Sequence, residues 1–485
     1  MNTETTPETK PHLRAVLVLA CLAQFMVILD VSVVNVALPS IRGALRFSEQ
    51  DLQWVVNAYT VTFAGFLLLG GRAADLLGRR RVFVSGLVLF ALASLAGGFA
   101  DSRALLIAAR AAQGLGGAII APASLSILTT SFEEGAARNR AVGIWAATGG
   151  AGGAAGVLLG GVITDLLSWR WILFINVPIG LLAALFAERY IVETREVVAR
   201  RSFDLAGAVS ATLGLSVLVL GIVRTAATGW GAASTLALLG AGAVVLALFV
   251  AIEGRFARSP LMPLRIYASR TLSAANLVVF LLGAASFAMW FFLSLYLQQV
   301  LGYSPLRAGF GFLPMTLCIV AGSKVASRTV TQVGPKPILV AGMALQAVGL
   351  LLFTHLSPDG SYLGGVLVPS LLIAVGIGFS FVPVTIAAVA GVASEEAGLA
   401  SGVVNTSRLV GGALGLAILA TLATARTNGD LHHGVAAHAA LTGGFELAFG
   451  IAGAFAAAGA LIALVGLPRV PRRRVRQRTM AAESA

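Results

Sequence analysis

The chain has 485 residues, of which 58% are hydrophobic and only 11% are charged. Soluble domains carry about 25% charged residues, so this sequence has too few to cover such a core with a polar surface, which argues against a water-soluble protein. A helix that crosses a bilayer needs about 20 apolar residues, so an apolar content of about 281 residues predicts roughly 14 crossings. Little of the chain is left for domains outside the membrane.

Neither the net charge of +13 nor the two cysteines indicate a specific partner. Cys21 and Cys318 each fall within an apolar run, where a thiol is more often a small packing residue than a metal ligand or half of a disulfide. Arginine accounts for 31 of the 34 basic residues. We interpret this excess as the mark of a GC-rich bacterial genome.

The hydrophobic stretches, ended by Pro, Gly and charged residues, predict fourteen transmembrane helices. In chain order they lie at 14–38, 52–71, 82–100, 104–128, 140–163, 171–187, 204–223, 235–252, 272–299, 308–329, 337–356, 363–390, 399–424 and 445–467. The predicted fold class is therefore an all-α membrane protein.

An even number of helices places both termini on the same side of the membrane. The loops predicted on that side contain 25 Lys and Arg residues, and those on the other side contain seven. Because Lys and Arg concentrate in cytoplasmic loops, we predict that both termini are cytoplasmic, in a cell membrane. The basic tail RVPRRRVRQR fits this rule and attraction to anionic lipid better than nucleic-acid binding, so no nucleic-acid partner is expected.

Two parts of the sequence repeat. Arg72 to Arg81 resembles Arg328 to Pro337, 256 residues later, and four glycines of each half align. These are Gly143, Gly152, Gly153 and Gly156, with Gly402, Gly411, Gly412 and Gly415. Two six-helix bundles with a two-helix insert are the architecture of a secondary transporter, whose site lies between the halves. The predicted segments are a leader at 1–13, the N-terminal bundle at 14–187, a linker at 188–203, the inserted helices at 204–252, a loop at 253–271, the C-terminal bundle at 272–467 and a basic tail at 468–485.

Asp30 lies alone in an apolar span, within the segment LDVSVVNVALP from Leu29 to Pro39. A charge there costs several kcal/mol unless it is paired or faces water, and such residues commonly carry protons or bind ions. Arg110 in the fourth span lies at a matching depth, counted at about 1.5 Å per residue from the outer helix ends. We predict that the two pair, and that protonation of Asp30 releases Arg110 and triggers a conformational step. The alternative is a carboxylate bonded permanently to a neighbouring helix.

The predicted cytoplasmic loop GRAADLLGRRR combines a tight turn, an acid and a basic cluster. We interpret it as a gating loop, in which Gly78 makes the turn and the charged side chains bind helix ends or acids such as Glu133 and Glu134. Its residues are Gly71, Arg72, Asp75, Gly78, Arg79, Arg80 and Arg81. The alternative is a basic loop that sets topology alone.

The fifth span is rich in glycine, and Gly152, Gly156, Gly160 and Gly161 predict close helix packing in the membrane. A nucleotide-binding loop is the weaker interpretation, because no strand precedes these glycines.

Several polar residues within spans are candidates to line a substrate cavity, although such residues also simply bond to neighbouring helices. They are Asn35, Asn57, Tyr59, Gln113, Gln298, Gln299, Asn405 and Arg408. Arg408 could equally extend its side chain toward the cytoplasmic end of its helix. Three histidines, His432, His433 and His438, lie close together in the last outer loop, but we expect no metal site.

These motifs resemble the major facilitator superfamily, and more narrowly its 14-helix drug:H+ antiporter family. The Asp30 segment resembles the first-helix signature LDxTVVNVALP, with Ser in place of Thr, and Gly71 to Arg81 resembles the loop motif GxxaDrxGrkr. Arg110 to Gly116 resembles the proton-coupling motif RxxQGxG, and Gly152 to Gly161 the antiporter motif GxxxGPxxGG. Trp169 to Gly180 resembles WRWxFxINxPxG, so the similarity covers nearly the whole chain.

The resemblance implies the major facilitator fold and alternating-access export of drugs, antibiotics or other amphipathic compounds, driven by inward proton flow without a cofactor. Val157 stands where the antiporter motif has Pro, so a proton-coupled symporter that imports a metabolite remains the alternative. An enzyme would need clustered His, Asp or Glu at one membrane face, and the chain has scattered single acids. We expect a monomer whose partners are protons, a small-molecule substrate and the lipid bilayer.

Overall fold

The structure is a computed structural model, and it describes residues 9–133, 136–193, 204–256, 260, 264–389 and 397–468. Fourteen long helices run through these ranges, and we number them in chain order. They are α1 Thr9–Leu45, α2 Trp54–Leu77, α3 Arg79–Gly98, α4 Arg103–Ser131, α5 Ala136–Leu166, α6 Asn176–Tyr190, α7 Leu205–Thr228, α8 Ala233–Ala251, α9 Arg270–Leu295, α10 Pro305–Val333, α11 Pro335–Leu352, α12 Leu367–Val389, α13 Ala397–His432 and α14 Ala437–Gly466. The described residues contain no strand, so the predicted fold class is confirmed.

Each predicted span coincides with one of these helices. Thirteen stretches of the described residues are long and apolar enough to cross a membrane, and α5 contributes a shorter apolar section, Ala151–Leu166. The helix ends differ from the predicted ones: α1 continues through Pro39 to Leu45, and α13 continues to His432. Hydropathy indicates where a helix leaves hydrocarbon, whereas the backbone hydrogen bonds of a helix can continue into water beyond that point.

Serine residues mark where several helices begin. The side chains of Ser102, Ser269 and Ser304 accept hydrogen bonds from backbone N–H groups three residues later, at 3.4, 3.4 and 3.3 Å. Each thereby satisfies one of the N–H groups that the first turn of a helix leaves without a partner. These caps fix the starts of α4, α9 and α10.

The two ends of the bundle are distinguished by their loops. We call the end that carries the turn at Gly78, between α2 and α3, the basic face, and the end that carries the α1 to α2 connection the opposite face. Gly78 has φ of 107°, and its counterpart Gly334, between α10 and α11, has φ of 83°. Glycine adopts such positive φ values without the cost that a side chain imposes, so both copies of the repeated loop turn on glycine.

The two halves use the same helix pairs. In the first half α1 packs on α5, α2 and α3 pack on α4, and α3 packs on α6. In the second half the matching pairs are α9 with α13, α10 and α11 with α12, and α11 with α14. The repeated glycines explain part of this equivalence.

Aligned glycines lie at equivalent close contacts. A Cβ on Gly152 would stand 2.9 Å from the carbonyl oxygen of Phe25, and one on Gly411 would stand closer still to the carbonyl oxygen of Phe280. Gly156 and Gly415 lie against the backbones of Leu29 and Ala284 in the same way. Without a Cβ the helices approach until their backbones touch, and this is how small residues hold helices together in lipid.

The halves meet mainly along two helix pairs, α5 with α10 and α2 with α13, and α1 makes smaller contacts with α9. Between the halves, α7 packs against both α2 and α13, while α8 packs mainly on α7. The inserted pair therefore covers one side of the junction between the halves. Only 11% of the most apolar stretch of α8 is buried against the rest of the protein, so this helix presents most of its surface to lipid.

Candidate functional site

The carboxylate of Asp30 is fully buried among helices of the first half. Its Oδ2 accepts a hydrogen bond from Arg110 Nη1 at 2.5 Å. Its Oδ1 accepts two more, from Gln113 Nε2 at 3.0 Å and from Asn176 Nδ2 at 2.9 Å. The structure thus brings Asp30 and Arg110 together, as their matching depths predict.

The guanidinium of Arg110 is held as firmly as the acid. Its Nε donates to the carbonyl oxygen of Val55 at 2.9 Å, and its Nη1 also donates to Gln113 Oε1 at 2.9 Å. Its Cζ lies 4.5 Å from the ring centroid of Tyr59, a cation–π contact. With 2% of its side chain exposed, the cation depends on these partners in place of water.

Donors from α4 and α6 converge on Asp30, which lies on α1. Arg110 and Gln113 lie on one face of α4, three residues apart, and Asn176 lies at the first residue of α6. Gln113 also donates to Ser94 Oγ of α3 at 2.7 Å. One carboxylate on α1 therefore ties α4 and α6 together through charge-assisted hydrogen bonds, which are stronger than neutral ones. Gln113 extends this network to α3.

Sequence reasoning missed Asn176 and Ser94 in this network. Asn176 lies within the WRWILFINVPIG segment, and an amide in an apolar run is the signal that could have singled it out. Ser94 is one small hydroxyl among many, and nothing in its sequence context distinguishes it. Gln113, predicted to line a substrate cavity, is instead fully buried in the Asp30 network.

The gating loop lies at the basic face, where the N-terminus of α3 follows Gly78. Glu193, just after α6, accepts hydrogen bonds from the backbone N–H groups of Arg80 and Arg81 at 3.3 and 3.2 Å. Its Oε2 also lies 3.8 and 3.7 Å from the Nε atoms of these two arginines. A carboxylate at a helix N-terminus is stabilised by the helix dipole and by the free N–H groups there.

The acid in this contact differs from the ones we expected. Glu133 is exposed, and Glu134 and the side chain of Asp75 lie outside the described residues. Arg79 is buried and donates from Nε to Ser126 Oγ of α4 at 2.7 Å. Gly71 lies against Pro122 of α4, and Arg72 is half-buried near the end of α2. The loop thus ties α3 to α4 and α6 within the first half.

The glycines of α5 serve two partners. Gly152, Gly156 and Gly160 face α1, where added Cβ atoms would stand 2.9, 2.6 and 2.9 Å from its atoms. Gly161 faces the start of α10 in the second half, where a Cβ would lie 2.7 Å from the carbonyl oxygen of Pro305. The predicted close packing therefore occurs at two contacts, α5 with α1 within the first half and α5 with α10 between the halves.

Two of the predicted cavity residues join the halves at the opposite face. Gln299 Oε1 accepts from Arg42 Nη1 at 3.0 Å, and Gln298 Nε2 donates to the carbonyl oxygen of Val36 at 2.9 Å. Nearby, Ser294 Oγ donates to the backbone oxygen of Asn35 at 2.6 Å. These contacts place the glutamines between the ends of α1 and α9.

Asn35, Asn57 and Tyr59 have separate positions in the first half. The Asn35 side chain donates to Val31 of its own helix at 3.0 Å. Asn57 is fully buried, and its Nδ2 lies 3.4 Å from Gln53 Oε1. Tyr59 is buried beneath Arg110, and its hydroxyl has no hydrogen-bond partner among the described residues.

Asn405 and Arg408 lie together on α13, in the second half. Arg408 donates to Asn405 Oδ1 from Nε at 3.3 Å and from Nη2 at 2.9 Å. Its Cζ lies 5.8 and 5.6 Å from the ring centroids of Phe287 and Phe381. Both residues are half-buried, as are Asn35, Gln298 and Gln299, so Asn405 and Arg408 keep accessible polar surface within the second half.

Among the described residues, no three or more His, Cys, Asp or Glu side chains lie grouped as metal ligands. His433 Nδ1 lies 2.7 Å from the carbonyl oxygen of Gly429, a contact local to the end of α13.

Membrane-crossing helices in two halves that pack alike, with a buried ion pair in one half, have the architecture of a membrane transporter of the secondary type. The chain belongs to the Major Facilitator Superfamily, which it matches over residues 20–416. It is a multi-pass membrane protein.

Several relatives of this chain carry names that refer to antibiotics. The cephamycin export protein of Amycolatopsis lactamdurans is 48% identical over 85% of this chain and 86% of its own. The puromycin resistance protein of Streptomyces alboniger is 41% identical over 88% of this chain and 85% of its own. Among solved structures, a bacterial homologue of the human lysosomal transporter Spinster shares the fold, with a TM-score of 0.68 at 15% identity over 96% of this chain and 98% of the other.

Proposed function

We propose that the protein is a proton-coupled exporter of antibiotics, drugs or similar amphipathic organic compounds, and that it works by alternating access. Relatives named for cephamycin export and puromycin resistance support the substrate class and the outward direction. The excess of basic residues at one face supports a cytoplasmic location for that face and for both termini. The protein then works in the cell membrane as a monomer.

The buried ion pair of Asp30 and Arg110 is the observation that carries proton coupling. An ionised acid forms three charge-assisted hydrogen bonds here. A proton from outside the cell that binds a carboxylate oxygen cancels the charge that holds Arg110, Gln113 and Asn176 in place. The guanidinium then lacks its counter-ion, so α4 and α6 gain freedom to move relative to α1. Loss of the proton to the cytoplasm restores the pair.

The contacts at the opposite face define the step that exposes Asp30 to protons from outside. Arg42 with Gln299, and Val36 with Gln298, hold α1 of the first half to the end of α9 in the second. With the basic face in the cytoplasm, these hydrogen bonds close the outer side. They must break for the substrate to leave outward and for a proton from outside to reach Asp30, and protonation of Asp30 then favours the return to the closed outer side.

The antiporter motif of α5 departs from the family pattern at Val157. The helix α5 continues unbroken through Val157. The carbonyl oxygen of Val157 faces α10, and a Cβ added to Gly309 there would lie 2.9 Å from it. The residue that replaces the family's Pro therefore lies between the halves, without a break in α5. The names of the relatives favour export, and no contact of the described residues favours import.

Drug accumulation in an efflux-deficient bacterial host tests this proposal. Cells that express the protein should accumulate less puromycin or cationic dye than cells that express the Asp30→Asn variant at equal membrane abundance. A protonophore should remove the difference. Equal accumulation in both strains for every compound would contradict export, and higher accumulation in the cells with the unaltered protein would favour import.

A further inference from the structure

Two arginines lie at membrane depth, and only one of them has an acid. Arg110 forms an ion pair with Asp30, so the two charges cancel within the first half. Arg408 has no Asp or Glu within ion-pair distance among the described residues, although a charge inside a membrane costs several kcal/mol when it lacks a partner. The second half therefore contains a positive charge that no acid among the described residues balances.

The described contacts of Arg408 hold the guanidinium but leave part of it free. Nε and Nη2 both donate to one acceptor, Asn405 Oδ1. Nη1 has no acceptor among the described residues. Arginine presents its donors as a planar fork that matches a carboxylate or phosphate, and the shared bond to Asn405 orients that fork while Nη1 remains available.

The surroundings of Arg408 suit an amphipathic molecule. The rings of Phe287 and Phe381 lie on α9 and α12, each within 6 Å of the guanidinium Cζ, and they offer apolar surface beside the charge. Such a combination of aromatic walls and a few oriented polar groups is typical of small-molecule sites.

Arg408 also lies where the halves meet. Its neighbour Leu409 packs in the hydrophobic cluster of the first half, together with Phe63 and Phe83. Phe287 packs against this cluster and also against the larger hydrophobic cluster, most of whose residues belong to the second half. A ligand beside Arg408 would therefore contact both halves, as a transported substrate must.

We infer that Arg408, oriented by Asn405 between Phe287 and Phe381, binds the anionic group of the substrate, so that amphipathic organic anions, carboxylates above all, are a substrate class of this transporter. This inference rests on the proposed export function and names the chemistry of its substrate. The apolar part of the anion lies against the two rings. Asn405 is a positioning residue, because it acts through Arg408.

A matched pair of fluorescent probes tests the inference by binding alone. Dansylphenylalanine carries a carboxylate, and its methyl ester replaces that anion with a neutral ester one methyl group larger. Titrated against the purified full-length protein in detergent, the acid should bind more tightly than the ester. In Arg408→Gln the affinity for the acid should fall by about tenfold to hundredfold, the usual range for a hydrogen-bonded charge pair, while the affinity for the ester stays unchanged.

Further variants separate recognition from folding. Arg408→Lys keeps the charge and should retain part of the preference for the acid, and Asn405→Ala should give a smaller loss than Arg408→Gln. Unchanged ester binding shows that each variant is folded, since a purely structural role would weaken both probes equally. Equal binding of acid and ester to the unaltered protein, no binding of the acid, or an unchanged acid-to-ester ratio in Arg408→Gln would overturn the inference.

The outcomes distinguish this inference from the proposed function. Binding selectivity requires neither a proton gradient nor transport, so selectivity that persists in a protein unable to lower drug accumulation would contradict export alone. Export that treats acid and ester alike would contradict the Arg408 inference alone.

Discussion

At the scale of single residues, the organisation of the first half depends on the charge of Asp30. Its carboxylate is the common acceptor for donors from α4 and α6, and one of those donors extends the network to α3. The buried arginine beside it has no other acid among the described residues. Such a pair contributes little net stability compared with apolar side chains, but removal of one partner leaves a buried charge.

A pair of variants tests this dependence. Arg110→Gln leaves the acid without its cation, and we expect it to lower the stability by about 3–5 kcal/mol. Adding Asp30→Asn to Arg110→Gln removes both charges and should restore most of that loss, although not the coupling to protons. Thermal unfolding of the purified proteins in detergent measures this. An Arg110→Gln variant as stable as the double variant would contradict the pairing.

At the scale of helices, glycines of α5, which have no side chain, determine how closely α5 packs against α1. A Cβ on Gly156 would lie 2.6 Å from the Cβ of Ser32 and 2.9 Å from the carbonyl oxygen of Leu29. One turn earlier, a Cβ on Gly153 would meet only Ser32 Oγ, at 3.9 Å. The two glycines of one helix therefore differ in the space that they leave for a methyl group.

Alanine at these two positions separates packing from helix propensity. Gly156→Ala should destabilise the protein by about 1–3 kcal/mol, because the backbone of α1 must move away. Gly153→Ala has room for its methyl group and should leave stability and transport near those of the unaltered protein. Thermal unfolding and drug accumulation measure the difference. Two variants of equal stability would show that the α1–α5 contact is not this close.

Periodicity and composition predict the helices, whereas contacts between distant residues need the structure. The number of spans, the glycine turns and the shared depth of Asp30 and Arg110 follow from local sequence and from lengths along a helix. Asn176 lies 146 residues from Asp30 in sequence, and no local pattern shows that their side chains meet.

The two glutamines of α9 show a second limit. Both lie within the π-helical turn Tyr296–Val300 that ends their span, so regular α-helical spacing does not give the direction of their side chains. Gln298 and Gln299 contact α1 where the halves meet. Glu193 was missed for a different reason, since it follows α6 in an ordinary polar segment.

At the scale of the whole molecule, the halves must separate at one face and close at the other. The hydrogen bond between Arg42 and Gln299 joins them at the opposite face, while the ion pair of Asp51 and Arg103 at the same face lies within the first half. These pairs provide a test and its matched control. The two native cysteines, both free in the structure, are replaced by serine first.

Cross-linking at the two pairs should have opposite effects. Cysteines in place of Arg42 and Gln299, joined by a flexible reducible thiol reagent, should block transport, because the outer side can no longer open. Reduction should restore it. Cysteines in place of Asp51 and Arg103, joined by the same reagent, should leave transport intact. Full activity of the cross-linked Arg42–Gln299 pair would contradict alternating access through separation of the halves at this face.

The most direct test of the central claim, that Asp30 couples protons to export, is transport into inverted membrane vesicles under an imposed pH gradient, acidic inside. The unaltered protein should accumulate puromycin inside the vesicles. Asp30→Asn, which has no group to protonate at this site, should lose at least about tenfold of the gradient-driven rate, equivalent to about 1.4 kcal/mol of coupling. Accumulation by Asp30→Asn at the unaltered rate, at equal abundance in the membrane, would contradict the account.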